Sequence, residues 1–426
     1  MSNPVRVVFC SPDFPNAVNG PSSWLLRLLP DLRDRDIRPH VLLYSDQPGR
    51  GVLGTGLRRA GIPCDEYPWH RYTCDKIRWT LRRLQSLEPD VFVPNCVVPA
   101  FFAARWARAA GVPTVGVLHS DDDYHHAVLE TFVAAEERRL SAVVAVSKFM
   151  ERAAQGGRHD ARVVRIPYGV PAAERLASAP CPGEAFRIAY VGRLIEEQKR
   201  IGLVARAFCA AAAAMPDVEL TIYGDGPDRA SVERILSEER GGDRVRLAGR
   251  VDSAGIQERL AGHHALALLS DYEGLPIALM EAMACGVPPI CRLTRSGIEE
   301  LVEEGVTGLF VDDSVERFVS AVHRLKCDPD LWRRMSGAAR DRVATGFTTE
   351  VCADRWAAFL AEIAEESAPR GRIELPATIE LPPIRPEFAR EDFRRASLPV
   401  EAYRATRRIA GVVKRKLVGS LERPAD

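Results

Sequence analysis

Two acidic residues set the chemistry to consider first. In SDYEGLPIALMEAMACGVPPI, residues 270–290, Glu273 precedes a Gly-Leu-Pro turn and Glu281 lies one turn into the Ala/Met-rich helix that follows. Pro276 suits a helix start, where a missing N–H costs little. The unpaired amides of that first turn favour an anion such as diphosphate. Glu281 could accept from the vicinal hydroxyls of a ribose. The ordinary alternative, a solvent-facing helix glutamate, fits poorly between Met280 and Met283. A second stretch, AYVGRLIEEQKR at 189–200, turns at Gly192 and presents Arg193 and Lys199. Two cations beside a helix start suit a diphosphate, each charge-assisted bond being worth roughly 1.5–3 kcal/mol. The competing reading is a surface ion pair with Glu196 or Glu197.

These residues need strands and helices to hold them. Val5–Cys10, Val41–Tyr44, Val91–Pro94, Thr114–Leu118, Ala142–Val146 and Val163–Ile166 are short apolar runs, as expected of strands covered on both faces. Helical patterns fall between them at Ser22–Leu32, Ile77–Leu87, Phe101–Ala110 and Val128–Leu140. After a Pro/Gly-rich interruption the alternation restarts. Strands are expected at Arg187–Val191, Glu219–Tyr223, Arg244–Leu247, Ala265–Leu269, Val287–Cys291 and Gly308–Val311, with helices at Arg200–Ala214, Arg229–Glu239, Ile277–Ala284 and Val315–Leu325. Alternating strands and helices predict an α/β fold of two doubly wound, Rossmann-like domains facing each other across a cleft. The boundaries are an N-terminal domain at 1–169, a linker at 170–185, a C-terminal domain at 186–350, a helix at 351–366 returning to the N-terminal domain, and a Pro-containing basic tail at 367–426.

Composition narrows the function. The 426 residues allow two buried cores, and 58 Lys/Arg against 58 Asp/Glu leave no global basic field for nucleic acid. Ten cysteines without a C-x-x-C pair read as reduced core thiols of a cytoplasmic protein. No apolar run approaches the ~20 residues of a membrane span.

Several segments together resemble the retaining GT-B glycosyltransferases, glycosyltransferase family 4 (glycosyl transferases group 1). Glu273 and Glu281 match that family's Glu-x7-Glu signature within EGLPIALMEAMACGVP. VSKFM at 146–150, IPYGV at 166–170, VGRL at 191–194, YGDGP at 223–227, LAGRV at 247–251 and SGIEELVEEGVTGLFV at 296–311 follow in family order. The resemblance spans roughly residues 5–365 and implies transfer of a sugar from a nucleotide-diphosphate donor with retention of anomeric configuration. Arg193 and Lys199 would hold the diphosphate and Glu281 the ribose. Glu273 would contact the transferred sugar, with the backbone of Gly192, Gly274, Leu275 and Pro276 alongside. Gly20, in the loop Ser11–Trp24, could bring an amide near the donor, and Ser22 or Ser23 could simply cap the helix.

His119, in VLHSDDDYHH, matches a family histidine that reaches toward the donor sugar. Asp121, Asp122 and Asp123 read as N-terminal caps rather than metal ligands, and as candidates for the acceptor side. No metal and no cofactor is expected. The sequence departs from the family pattern at Tyr168, usually Asn, at Glu299, usually Pro, and in an Arg193-to-Lys199 spacing one residue longer than the commonest.

The partners implied are a nucleotide-sugar and an unnamed glycan, lipid-linked or small-molecule acceptor. A second reading is a non-catalytic GT-B scaffold that senses nucleotide-sugars or serves a glycan-assembly complex. The tail has 13 Lys/Arg against 8 Asp/Glu. It suggests either packing on the N-terminal domain or a peripheral membrane contact through a basic helix at Glu401–Val418. The oligomeric state is left open.

Overall fold

The computed structural model describes residues 4–15, 20–157, 159–181, 183–252, 255–294, 296–367 and 369–390. Its first half runs β1 (Val5–Asp13), α1 (Gly20–Arg33), β2 (Ile37–Ser45), α2 (Val52–Arg59), β3 (Cys64–Pro68), α3 (Thr73–Leu87), β4 (Val91–Val93), α4 (Val98–Ala109), β5 (Val115–Leu118), α5 (Asp123–Leu129), β6 (Ala142–Ala145), α6 (Lys148–Gln155) and β7 (Arg162–Arg165). The strands pair in parallel in the order β3-β2-β1-β4, and a bridge between Phe92 and Thr114 carries the sheet into β5-β6-β7. Alternate residues of β1 serve different cores. Val7 and Phe9 pack on one face, Val8 and Cys10 on the other. Burial on both faces explains why these strands read as unbroken apolar runs.

The second half runs β8 (Phe186–Val191), α7 (Glu196–Lys199), α8 (Ile201–Ala214), β9 (Val218–Tyr223), α9 (Arg229–Glu238), β10 (Val245–Gly249), α10 (Ile256–Leu260), β11 (Ala265–Leu268), α11 (Ile277–Ala284), β12 (Pro289–Arg292), α12 (Ile298–Leu301), β13 (Leu309–Val311), α13 (Val315–Cys327) and α14 (Pro329–Gly346). Its parallel sheet has the order β10-β9-β8-β11-β12-β13. In both sheets the order reverses beside the first strand, between β1 and β4 and between β8 and β11. Such a reversal opens a crevice at the strand carboxyl ends.

The chain crosses between the halves twice, and the crossings lie side by side. Val170 bridges Thr348, with Val170 N–H donating to Phe347 O at 2.9 Å and Thr349 N–H to Val170 O at 3.1 Å. Helix α15 (Thr349–Glu365) then packs on α1, where the Trp356 and Trp24 rings lie 5.4 Å apart. Beyond it the chain drapes over the N-terminal half. Ile373 and Phe388 are buried in its core, Gly371 N–H donates to Ala110 O at 2.9 Å, and Arg385 pairs with Glu130 at 2.6 Å. Among the described residues no helix is long and apolar enough to cross a membrane. The basic helix expected at Glu401–Val418 lies outside the described residues.

One expected helix is not continuous. Over Val128–Leu140 the chain leaves α5 at Leu129, makes a π turn at Glu130–Ala134 and a 3-10 turn at Glu136–Arg138. The Phe132 carbonyl accepts from Leu140 N–H at 2.8 Å, outside any helical ladder. Packing of Phe132 against Phe101, Phe102 and Phe388 decides the local path.

Candidate functional site

The two motif loops meet at the reversal between β8 and β11. After β8, Gly192 N–H donates to Tyr223 O at 3.1 Å and Leu194 N–H to Asp225 O at 3.0 Å, so the turn after β9 props the loop. A Cβ at Gly224 would fall 1.8 Å from Gly192 O, and its φ is +151°, so only glycine fits. The Tyr190 hydroxyl donates to Arg193 O at 2.9 Å, and burial pushes that phenol's pKa up. Arg193 is exposed, and its Nη2 donates to Gln198 Oε1 at 3.0 Å. Neither Glu196 nor Glu197 pairs with it. The Glu196 carboxylate instead accepts from Gly202 N–H at 2.7 Å. Gln198 also donates through Nε2 to Tyr272 O at 3.2 Å, and its own carbonyl accepts from Asp271 N–H at 2.9 Å. This buried amide, which the sequence reading passed over, stitches the loop after β8 to the loop after β11.

Lys199 ends the single turn α7, and its Nζ reaches Glu273 Oε1 at 2.5 Å. Both side chains are largely buried, 15% and 7% exposed. Lys199 thus has a carboxylate partner here, whereas Arg193 has only a neutral amide. Helix α11 follows with Pro276 as its N-cap, leaving the amides of Ile277 and Ala278 without an intrahelical acceptor. Glu281, one turn in, is 6% exposed and pairs with Arg27 of α1 in the opposite domain. Burial pushes the Glu281 carboxyl up from its ordinary value, and Arg27 opposes that rise.

At Gly274 the domains meet backbone to backbone. This glycine bridges Ser120 in antiparallel fashion, and its carbonyl accepts from Gly297 N–H at 2.6 Å. A Cβ there would lie 1.8 Å from His119 O. Further along the cleft, Glu300 of α12 pairs with Arg165 and accepts from Lys148 N–H at the start of α6. The neighbouring Glu299 lies in the first turn of α12, which starts after Gly297 without a proline. Gly20 opens α1 beside α11, where a Cβ would sit 3.7 Å from Ile277 Cδ1. The preceding residues 16–19 lie outside the described residues.

His119 does not present its ring to the cleft. Asn95 Oδ1 can only accept, so His119 Nε2 carries the proton and donates to it, and Nδ1 accepts from the Tyr168 hydroxyl. All three residues are buried, and Trp24 packs edge-on against the imidazole at 5.3 Å. Burial, together with nearby His125, holds the His119 pKa well below its ordinary 6.5. It is therefore a neutral, fixed side chain whose backbone carbonyl, not its imidazole, meets Gly274. Tyr168, where asparagine is usual, is part of the reason. Its hydroxyl reaches across to the imidazole and fills the second valence of the ring.

The three aspartates cap and pair locally. Asp122 accepts from His125 N–H at 2.9 Å and from His125 Nδ1 at 2.7 Å, which helps hold its carboxyl below the ordinary range despite burial. Asp121 meets His126 Nε2 at 2.6 Å, and Asp123 lies exposed in the first turn of α5. No group of three His, Cys, Asp or Glu side chains is placed to hold a metal ion among the described residues. A cavity of about 850 Å³ opens at the carboxyl end of β10, walled by Arg250, Val251, Glu258 and Arg259, with Arg175 of the linker across from them. It lies two strands from β8, which at ~4.8 Å per strand is roughly 10 Å from the Arg193 loop.

Two Rossmann-like domains, with strand orders 3-2-1-4-5-6-7 in the first and 3-2-1-4-5-6 in the second, closing on a charged crevice in the second, define the GT-B architecture. Solved structures agree. The Anabaena protein Alr3699/HepE in complex with UDP-glucose superposes with a TM-score of 0.69 at 20% identity, over 84% of this chain and 99% of that one. The lipopolysaccharide outer core galactosyltransferase WaaB gives 0.64 at 16% identity, over 84% and 100%.

The family models "Glycosyltransferase Family 4" and "Glycosyl transferases group 1" match residues 18–174 and 174–342 in succession. The chain belongs to this glycosyltransferase family. Among curated relatives, the N-acetyl-alpha-D-glucosaminyl L-malate synthase of Bacillus anthracis is 36% identical over 36% of this chain, a match that spans 39% of that relative's own length. The alpha-D-kanosaminyltransferase of Streptomyces kanamyceticus is 27% identical over 67% of this chain and 81% of its own.

Proposed function

We propose that this protein transfers a sugar from a nucleoside-diphosphate donor to a hydroxyl acceptor with retention of anomeric configuration. The observation that carries the reading is the convergence of Arg193, Lys199, Glu273 and Glu281 with the start of α11 at the switch point between β8 and β11. The diphosphate lies against Arg193, Lys199 and the first amides of α11. The ribose reaches Glu281, and the base extends toward the cavity at β10. The UDP and UDP-glucose complexes of HepE support a uridine nucleotide as the first donor to try.

On donor binding Glu273 exchanges part of its bond to Lys199 for hydroxyls of the transferred sugar, which frees Lys199 for phosphate. The C1–O bond to the diphosphate then breaks as the C1–O bond to the acceptor forms on the same face. The acceptor proton passes to the departing phosphate oxygen. Arg193, Lys199 and the α11 amides stabilise the charge that gathers on the leaving group, more strongly in a cleft from which closure excludes water. Neutralisation by these groups takes the place of a divalent cation. The acceptor enters from the N-terminal side, where Asp121, Asp122 and Asp123 are candidate contacts. His119 acts through its position behind Gly274, and its ring holds that carbonyl in place.

The test is a thermal-shift panel of nucleotide-sugars, followed by release of nucleoside diphosphate from the one that binds, with and without chelator. Stabilisation by one donor with chelator-resistant turnover is expected. Absence of any stabilising donor, loss of turnover to chelator, or an inverted anomeric product would overturn the corresponding part of the proposal. Donor binding with no product or hydrolysis would favour the non-catalytic alternative.

A further inference from the structure

The Arg27–Glu281 pair joins the two domains in nearly dry surroundings, with only 16% and 6% of the two side chains exposed. Helix α1 buries Trp24, Leu25, Leu28, Leu29 and Leu32 in the N-terminal core. Arg27 falls off that face, and because α1 starts beside the start of α11, the two helices bring Arg27 level with Glu281. The pair is incompletely satisfied. Arg27 Nη2 donates to Glu281 Oε1, whereas Nη1 is buried with no acceptor. Among the described residues no hydrogen bond reaches Glu281 Oε2.

A buried ion pair contributes to stability only when its remaining donors and acceptors are filled, and an apolar pair of similar size would serve as well. Stability is therefore a poor explanation for placing an arginine here. A functional one fits the geometry better. The contact fixes one carboxylate oxygen, leaves the other open, and exists only while the two domains are together.

We propose that Arg27 is a positioning residue for the donor. From the acceptor-side domain it holds Glu281 by Oε1, so that Oε2 stays oriented for the ribose hydroxyls, and it thereby couples donor binding to domain closure. The inference rests on Glu281 as the ribose ligand. Binding of the nucleotide to the C-terminal domain and docking of α1 then favour each other, because each orders the same carboxylate. The counter-charge also opposes the burial that pushes the Glu281 carboxyl up.

The experiment is a double-mutant cycle on UDP affinity, measured by calorimetry on the full chain as wild type, Arg27→Gln, Glu281→Gln and both together. Each single change is expected to weaken UDP by about ten-fold or more. The double variant should bind no worse than Glu281→Gln alone. Neither single change should alter the affinity for 2′,3′-dideoxyuridine diphosphate, which lacks the hydroxyls. Arg27→Lys, which keeps the charge, should recover much of the loss and controls for misfolding. Unchanged UDP affinity in Arg27→Gln, an equal loss for UDP and the dideoxy analogue, or additive losses in the double variant would each overturn the role of Arg27. If Glu281→Gln itself binds UDP as wild type does, the ribose assignment fails first, an outcome distinct from the other three.

Discussion

The carboxyl edges of the two sheets face one another, and they are built from opposite materials on strand orders that reverse at the same place. Beyond β8 and β11 stand Arg193, Lys199, Glu273 and Glu281: Lys199 and Glu273 pair with each other, Arg193 meets a neutral amide, and Glu281 meets Arg27 from the other domain. The corresponding edge beyond β4, β5 and β7 holds His119, Asn95 and Tyr168, neutral and sealed beneath Trp24. One edge keeps charges that a ligand can recruit. The other ties up both nitrogens of the His119 ring internally and offers chiefly backbone and shape. A common fold therefore does not imply a common site, because the side chains at the strand ends decide what each crevice can bind.

Four experiments would break or sharpen that contrast. The largest effect concerns how the apolar half is held together. Ending the chain after Glu366 strips Ile373 and Phe388 from the N-terminal core, each worth about 1.5–3 kcal/mol of burial. The expected outcome is a melting temperature lowered by several degrees, read by calorimetry, with nucleotide affinity of the folded fraction retained. A chain ending at Arg390 isolates the contribution of residues 367–390, and equal melting of both truncations would show that the drape contributes nothing.

Next comes the charged half. Arg193→Ala should lower transfer by about 10²–10³-fold with little loss of stability, since the side chain is exposed and hydrogen-bonds to Gln198 alone among the described residues. Steady-state kinetics would check it, and a change confined to KM would mean that Arg193 holds ground state and transition state alike. A somewhat smaller effect is expected where the edges meet. Gly274→Ala puts a Cβ 1.8 Å from His119 O, so the domains must part. Misplacement by ~1 Å costs about 10²-fold in transfer. Small-angle scattering should show a larger radius of gyration, and an unchanged radius with full activity would refute the contact.

The smallest effect is in pH. Burial depresses the pKa of His119, and of His264 to about 4, below the ordinary 6.5. The unfolded chain therefore binds more protons just below 6.5. The stability from each neutral histidine is whole above 6.5 and falls as pH drops toward the folded value, by about 1.4 kcal/mol per pH unit. Glu281 works in the opposite sense, because its raised carboxyl favours the folded state as pH falls toward 4.5. Melting curves from pH 7 to pH 5 should decline, and His119→Gln should flatten the decline. An unaltered slope would place the titration elsewhere.

How much of this was legible depends on how local each cause is. The runs at Val5–Cys10 and Ala265–Leu269 announce strands because both their faces are covered. β3 was missed, since CDEYP is only half buried at a sheet edge, and α2 was missed because VLGTGLRR carries two glycines. Glu273 and Glu281 stand out as candidates by their spacing around a helix start, a feature of a single segment. Arg27, Gln198 and Asn95 do not, because their partners lie 254, 74 and 24 residues away in the chain. An arginine amid leucines in SSWLLRLLPDL was the visible signal, and it reads equally as a surface residue of α1.

The amino-acid order alone determined what depends on neighbours in the chain. That includes two rounds of strand and helix, the glycine turns at the strand ends, and the charged residues at the start of α11 and after β8. Tertiary structure decided who pairs with whom. It set Lys199 against Glu273, put Arg27 on Glu281 across the cleft, and turned His119 inward to Asn95 and Tyr168. The reason is physical. Hydropathy patterns follow from burial, which each residue meets largely by its own type, whereas an ion pair or a fixed tautomer needs two groups from distant segments at one distance, and only the packed fold sets that distance.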